Sequence, residues 1–541
     1  MKLIRLLLKS SWLGVAFATF TGLLSGASSA GLIATINFVL RGTELPKSLL
    51  GWSFVGLCCL LAVSTTASQA LIARLAQRVV LNLQLHLTRC ILACRLCHLE
   101  EIGAPRLLAT LTEDVQAISN ASFAVSNLCI SVALIIGCFF YLSWLSLNLF
   151  CLMFVFTVLG ISSQNFLIAR GRKFIKLARE QQDKLFQHFQ TTTEGIKELK
   201  LHHQRRQAFL VEDLQASAII FQHQRMMATD LFSLAAGSGL LLFFIPIGLL
   251  IFVLSPLFNI SFSVVSGYVL TIVFMISPLR ILLTSLPIIS QASVALEKIE
   301  SLGLFLVAQT TEPEQANLLD YQLKWKSLTL AGVTHRYRGE REDSNFILGP
   351  INLTFYPGEL VFVVGGNGSG KSTLVKLLTG LYVAETGVIE FDEQPITDAN
   401  LEWYRQQFSV VFSDFYLFDR LLGLDNPHLN SQIQDYLVQL QLDHKVTVNE
   451  GVLSTTALSQ GQRKRLALLT AYMENRAIYV FDEWASDQDP VFKDIFYTQL
   501  LPKLKHQGKT VFAISHDDRY FDRADRIIKL DYGKVLCDKR L

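Results

Sequence analysis

Residues 361–375 read VFVVGGNGSGKSTLV, an apolar, β-branched run that leads into a glycine-rich loop ending Gly370-Lys371-Ser372-Thr373. The loop Gly365, Gly366, Asn367, Gly368, Ser369, Gly370, Lys371, Ser372, Thr373 has the spacing of a P-loop. Small residues let backbone N–H groups wrap phosphates, Lys371 adds a point charge at the β- and γ-phosphates, and the Ser372 hydroxyl can ligate Mg²⁺. Leu374-Val375-Lys376-Leu377-Leu378 continues with apolar residues at helical spacing, so the phosphates would sit on a helix N-terminus. Strand, loop and helix stand in the order that separates a phosphate cradle from an ordinary glycine turn.

Around this stretch, from Tyr321 onward, short β-branched runs alternate with helical segments: 328–336, 361–364, 408–412, 477–481 and 510–514. That alternation predicts a largely parallel sheet covered by helices, in a domain spanning 321–541 that is long enough to bury its own core. One apolar strand, Ala477-Ile478-Tyr479-Val480-Phe481, ends in Asp482-Glu483. A carboxylate there can hold the Mg²⁺ shell, and the next can polarise water for in-line attack on a γ-phosphate. A second strand, 510–514, ends in Ser515-His516-Asp517, which puts an imidazole at the same sheet edge as the P-loop.

The other half of the chain has a different solvent. Of the 541 residues 51% are hydrophobic, with a mean hydropathy of +0.38, and the excess lies in the first three hundred residues. Apolar runs of about 20 residues, enough to cross about 30 Å of hydrocarbon, recur there. Six spans are predicted, at about 12–40, 49–71, 123–142, 145–167, 231–254 and 262–283, in a membrane domain of residues 1–302 joined by a linker at 303–320. The short loops near 41–48, 143–144 and 255–261 hold only Arg41, Glu44 and Lys47 among charged residues. Lys2, Arg5, Lys9, Arg74, Arg78, Arg89, Arg95, Arg106, Arg170, Arg172, Lys173 and Lys176 lie on the opposite side, so the positive-inside rule places both termini and the nucleotide site in the cytoplasm. Lys2, Arg5 and Lys9 ahead of an apolar run and Ser28-Ser29-Ala30 also have the form of a secretory signal, but apolarity continues through Leu32, Ile33, Ile36, Phe38 and Leu40, which suits a span.

Two cytoplasmic connections, 100–119 and 191–206, are best placed to touch a partner. A net charge of +3 from 48 basic and 45 acidic residues gives no argument for nucleic acid. Nine cysteines spread over both halves imply no disulfide framework, and Cys90, Cys94 and Cys97 beside His86 and His98 read as packing residues between helices, without the two-sided ligand pairs of a metal site.

Leu458-Ser459-Gln460-Gly461-Gln462, followed by Arg463-Lys464-Arg465-Leu466, brings a family into view. The chain resembles ATP-binding-cassette transporters, and 458–462 matches their signature except for Gln460 in place of glycine. Six helices ahead of one cassette is the layout of half-size exporters. The resemblance implies an α-helical membrane domain of six spans fused to an α/β P-loop NTPase cassette, an ATPase coupled to transport with ATP and Mg²⁺ as ligands. Tyr337 would stack on adenine, Lys371 hold the phosphates, Ser372 and Asp482 hold Mg²⁺, Glu483 act as catalytic base, His516 act as the switch histidine, and 486–489 contact the opposite subunit. Ser459, Gly461 and Gln462 would close over the ATP of a second copy, making a homodimer.

Three departures stand out. Ser413, in Val410-Val411-Phe412-Ser413-Asp414, occupies the place of a glutamine that contacts Mg²⁺ and couples to the membrane domain, which makes Ser413 and Asp414 further candidates for the metal shell. The segment from Asp414 to the signature is short and lacks a Glu-Arg-Gly motif, with only Asn449-Glu450-Gly451 nearby. Trp484 follows Glu483 where alanine is common.

FSDFYLFD (412–419), LSQGQRKRLALL (458–469), DEWASDQDP (482–490), AISHDDRYF (513–521) and EGIKELKL (194–201) are similar to the bacterial cyclic-peptide export group, the syringomycin, pyoverdine-precursor and microcin type. That resemblance implies export of a cyclic or modified peptide across a bacterial inner membrane, among membrane lipids. No cysteine-peptidase domain precedes the first span, which suits cargo that arrives already matured. A lipid or multidrug exporter, and an ATPase that senses a membrane ligand without moving it, are the alternative expectations.

Overall fold

The computed structural model describes residues 2–40, 46–302, 324–337, 346–423 and 429–541. The linker expected at 303–320 and the charges Arg41 and Glu44 lie outside the described residues. The chain divides into two compact units: Met1–Ile91 with Pro105–Phe305, and Leu92–Ala104 with Leu306–Leu541.

The first unit is helical. The predicted apolar stretches fall on the helices Lys2–Leu40, Lys47–Ala93, Val115–Leu145, Leu147–Glu194, Ala216–Leu249 and Phe262–Ser301, the fourth beginning at the end of the third helix and the fifth running on into the turn Leu250–Leu254. Among the described residues five segments are long and apolar enough to cross a membrane: Phe20–Val39, Ser48–Ala93, Arg106–Leu145, His203–Phe258 and Phe262–Leu282. In the fourth predicted span the described apolar stretch is only Leu147–Phe156. Phe262–Ser301 packs along Val115–Leu145, which also carries Lys2–Leu40, and Leu147–Glu194 packs along Ala216–Leu249. Ile135, Leu142, Tyr268, Ile272 and Met275 form a buried core, whereas Phe20, Trp52, Phe140 and Phe252 are exposed. Large apolar side chains on the outside of a helical bundle are what hydrocarbon, rather than water, allows. Pro246 lies inside the fifth of these helices, four residues before a π-helical turn at Leu250–Leu254, the local unwinding by which a helix accommodates a proline. The polar Asn37 is satisfied inside the bundle: its Nδ2 donates to Tyr141 Oη at 2.7 Å and its Oδ1 accepts from Ser266 Oγ at 3.0 Å. In a bilayer that pairing ties helices together where no water would serve.

The second unit holds the predicted sheet. Its six strands run in the order Lys534–Arg540, Arg526–Asp531, Leu360–Gly365, Thr510–Ile514, Ile478–Asp482 and Phe408–Val411. All neighbours are parallel except the first pair. Leu360, Val361, Phe362, Val363 and Val364 are all buried, as a central strand covered on both faces requires. A second sheet, Phe346–Phe355, Leu328–Tyr337, Thr386–Phe391 and Gln394–Pro395, is wholly antiparallel and lies outside the parallel pattern expected from the sequence. Alternation of apolar and polar residues in Leu328–Tyr337 is its signal: Leu328, Leu330, Val333 and His335 are buried, and Leu328, Leu330 and Val333 join the core with Phe391 and Leu353.

Candidate functional site

The parallel register sets the site. Val363 pairs with both Ile514 and Ile528, and Ile514 pairs with Asp482, so the C-terminal ends of three strands arrive at one edge. There Leu360–Gly365 opens into the glycine loop and the helix Lys371–Leu378. Gly365 has φ of +154°, and a Cβ on it would lie 2.3 Å from the Leu530 carbonyl oxygen, so no other residue fits that turn. Gly368 and Gly370 also take positive φ, of +75° and +100°. Lys371 is buried, with Nζ donating to the carbonyls of Gly365 (3.1 Å) and Gly366 (2.9 Å), and the buried Ser369 hydroxyl has no hydrogen-bond partner among the described residues. A lysine ammonium and an unpartnered buried hydroxyl on a glycine-rich loop at a helix N-terminus are the chemistry of a phosphate cradle.

Facing the loop, Ser372 Oγ lies 3.4 Å from Asp482 Oδ1 and Ser413 Oγ 3.5 Å from Asp482 Oδ2. Asp482 is 2% exposed, and its burial holds the carboxyl above the usual range, opposed by the Ser372 hydroxyl and reinforced by Glu483 and Asp414. These hard oxygen donors fit Mg²⁺. Ser413 is the member of that pair that hydrogen-bonds Asp482, and Asp414 acts on it through its charge. Glu483 occupies the left-handed backbone region at φ +49°, which costs a non-glycine residue roughly 1–3 kcal/mol. Its carboxylate is met by His516 Nε2 at 2.8 Å and lies 3.9 Å from Lys371 Nζ. Lys371, Ser372, Asp482, Glu483, His516 and Ser413 therefore converge. Tyr337 ends its strand with a half-exposed ring.

The signature residues are not part of that cluster. Ser459 caps the helix Gln460–Glu474 in a capping box with Gln462; Ser459 is exposed and Gln462 half-buried. Gly461 is required by packing, since a Cβ there would lie 2.9 Å from the Asp487 carbonyl oxygen. Among the described residues no hydrogen bond or ion pair joins Ser459, Gly461 or Gln462 to the glycine loop.

The ABC transporter pattern matches residues 348–486 and the ABC transporter transmembrane region pattern matches residues 11–228. ATP-binding protein SyrD of Pseudomonas syringae pv. syringae is 36% identical over 531 residues, covering 96% of this chain and 94% of SyrD. The chain belongs to the ABC transporter family. Nisin transport ATP-binding protein NisT of Lactococcus lactis subsp. lactis is 35% identical over 209 residues, 35% of this chain and 34% of NisT. A solved structure of a bacterial Atm1-family ABC exporter with ATP bound shares the fold, with a TM-score of 0.75 at 15% identity over 98% of this chain and 95% of that one.

This ABC transporter is thus a half-size exporter with an ATPase cassette, as its motifs imply. Its structure also shows residues that the motifs did not single out. In the segment Leu92–Ala104, which belongs to the cassette unit, helix Leu96–Ile102 sets Leu96 and Cys97 against the core. Glu100 there accepts hydrogen bonds from Lys376 Nζ at 2.7 Å and from the Tyr382 hydroxyl, and burial together with Glu100 raises the Tyr382 pKa. Arg95 meets both oxygens of Asp398, at 3.1 and 3.0 Å. Lys376 stands on the helix that follows the P-loop, so this segment grips the element that holds phosphate. The sequence marked 100–119 as a contact segment but carried no signal for the partners.

The second missed residue is Lys464. It sits in the run Arg463-Lys464-Arg465 that follows the signature, and among these three charges it is 1% exposed. The signal was helical period: Lys464 shares a face with buried Leu468 and Ala471, at i, i+4 and i+7.

Proposed function

We propose that this ABC transporter works as a homodimer that hydrolyses ATP to move a cyclic or otherwise modified peptide out across a bacterial inner membrane. Each copy contributes six spans, with the cassette and both termini in the cytoplasm and membrane lipids around the bundle. The observation that carries the reading is that, among the described residues, Ser459–Gln462 make their hydrogen bonds within their own helix and to the loop after Glu483 and none to the P-loop of the same chain. A second copy related by two-fold symmetry would set the signature of each over the ATP of the other, giving two equivalent sites.

In that arrangement the loop amides and Lys371 bind the phosphates, Tyr337 stacks on adenine, and Glu483, oriented by His516, takes the proton of the attacking water. Ser372, Asp482 and Ser413 would hold Mg²⁺, which supplies charge neutralisation at the β- and γ-phosphates. Peptide cargo is favoured by the resemblance of 412–419, 458–469, 482–490, 513–521 and 194–201 to cyclic-peptide exporters and by the name of NisT.

The test uses inside-out vesicles carrying the full-length chain. ATP-dependent uptake of a labelled cyclic peptide, absent with Lys371→Ala, is expected, together with stimulation of ATPase by cyclic peptides over lipids or hydrophobic drugs. Stimulation by lipids or drugs alone would replace the cargo class, and stimulation without any uptake would make the chain a ligand-sensing ATPase. A catalytically competent monomer in a lipid nanodisc, by mass measurement, would overturn the dimer.

A further inference from the structure

The loop after Glu483 and the start of the signature helix are joined by a polar seam that includes two residues, Gln460 and Trp484, at which this chain departs from its family's pattern. Lys464 Nζ donates to the Glu483 carbonyl at 3.1 Å, to Ser486 Oγ at 3.1 Å and to Asp487 Oδ2 at 2.6 Å. An ammonium has three N–H donors, and here all three have acceptors in a site where the side chain is 2% exposed. Gln460 donates to the same Asp487 oxygen at 3.2 Å, and Trp484 Nε1 donates to the Lys464 carbonyl at 2.8 Å while its ring stacks on Phe496. Gln460 and Trp484, the two departures on either side of the seam, thus both act on the surroundings of Lys464.

We propose that Lys464 is a positioning residue for ATP hydrolysis. It does not touch the Glu483 carboxylate. It fixes the carbonyl of a residue held at left-handed φ, and a pivot of that peptide would swing the carboxylate away from His516 and from the place where water must be held. The ammonium also ties that pivot to the helix whose N-cap is Ser459, so that the signature and the base move as one piece. The inference rests on the reading of Glu483 as the base.

The experiment measures steady-state ATPase and thermal midpoint on the full-length chain in nanodiscs for Lys464→Met, Lys464→Met/Asp487→Asn and Glu483→Gln. Lys464→Met should lower kcat roughly 10–100-fold while KM for ATP changes by less than about threefold, because binding groups are untouched. It should also lower the thermal midpoint, since the Glu483 carbonyl and the Ser486 hydroxyl lose their donor and the half-exposed Asp487 loses its counterion. The double variant removes that charge and should recover the midpoint in part while kcat stays low. If Lys464→Met does not fold, the double variant carries the test alone. Recovery of kcat together with the midpoint, or near-wild-type kcat in Lys464→Met beside an inactive Glu483→Gln, would make Lys464 merely structural and leave the base in place. Near-wild-type turnover by Glu483→Gln would overturn both readings.

Discussion

His516 Nε2 lies 2.8 Å from Glu483 Oε1, a contact between the ends of two neighbouring strands of the parallel sheet. The imidazole aims the carboxylate toward the glycine loop, where Lys371 Nζ stands 3.9 Å away. Glu483→Gln keeps the shape but removes the base, so ATP should be retained after rapid desalting while turnover falls roughly 10²–10⁴-fold, about 3–5 kcal/mol of barrier. His516→Ala should lose turnover with ATP binding intact. Near-wild-type hydrolysis in Glu483→Gln would move the base to His516.

A second expectation concerns Asp482. Its pKa is raised by burial, so the folded state holds that proton to higher pH than the unfolded chain does. The sign follows from linkage: the favourable contribution is complete below the unfolded carboxylate range and is lost as pH rises through the folded pKa. At neutral pH, without Mg²⁺ or nucleotide, Asp482→Asn should therefore raise the thermal midpoint, by about 2–4 °C for each kcal/mol recovered, while abolishing hydrolysis. An unchanged or lower midpoint would show that the charge is compensated. In the wild type, apparent Mg²⁺ affinity should weaken as pH falls, because metal and proton compete for the same oxygens.

The glycine loop offers a steric test. Gly365→Ala would push a methyl group to 2.3 Å from the Leu530 carbonyl at a φ that alanine avoids. Loss of ATP binding and a destabilisation of more than about 1 kcal/mol are expected, read by nucleotide retention and thermal melting. Normal binding would mean that the loop relaxes without cost.

Coupling to the membrane helices can be assigned by comparing two places. Ser413 reaches Asp482 with a hydroxyl, whereas Glu100 grips Lys376 and Tyr382. Glu100→Ala should cut peptide uptake more than roughly fivefold while basal ATPase stays within about twofold. Ser413→Ala should lower uptake and ATPase together, and Asp414→Ala should change both less. If Ser413→Ala or Asp414→Ala uncouples uptake and Glu100→Ala does not, coupling runs through the loop after Val411.

Much of this chain was legible in the sequence because its chemistry is local. A phosphate cradle needs small residues, a lysine and a hydroxyl at fixed spacing on one short loop, and residues 365–373 display them without any partner. Crossing hydrocarbon needs unbroken apolar length, which can be read directly, although among the described residues five rather than six segments meet that measure. Strands ending in Asp482-Glu483 and His516 announced the edge at which they would meet. Tertiary structure alone decided the rest. The antiparallel sheet depended on pairing Leu328–Tyr337 with strands on both sides, which no local period specifies. Ser413, rather than Asp414, turned to Asp482, and a lysine inside a run of charges turned inward to find three acceptors. Glu100 met Lys376 across 276 residues of chain. A side chain's propensity is set by its own bonds, but the cost of burying its charge is set by the acceptors that the fold brings within hydrogen-bond reach, and those come from elsewhere in the sequence.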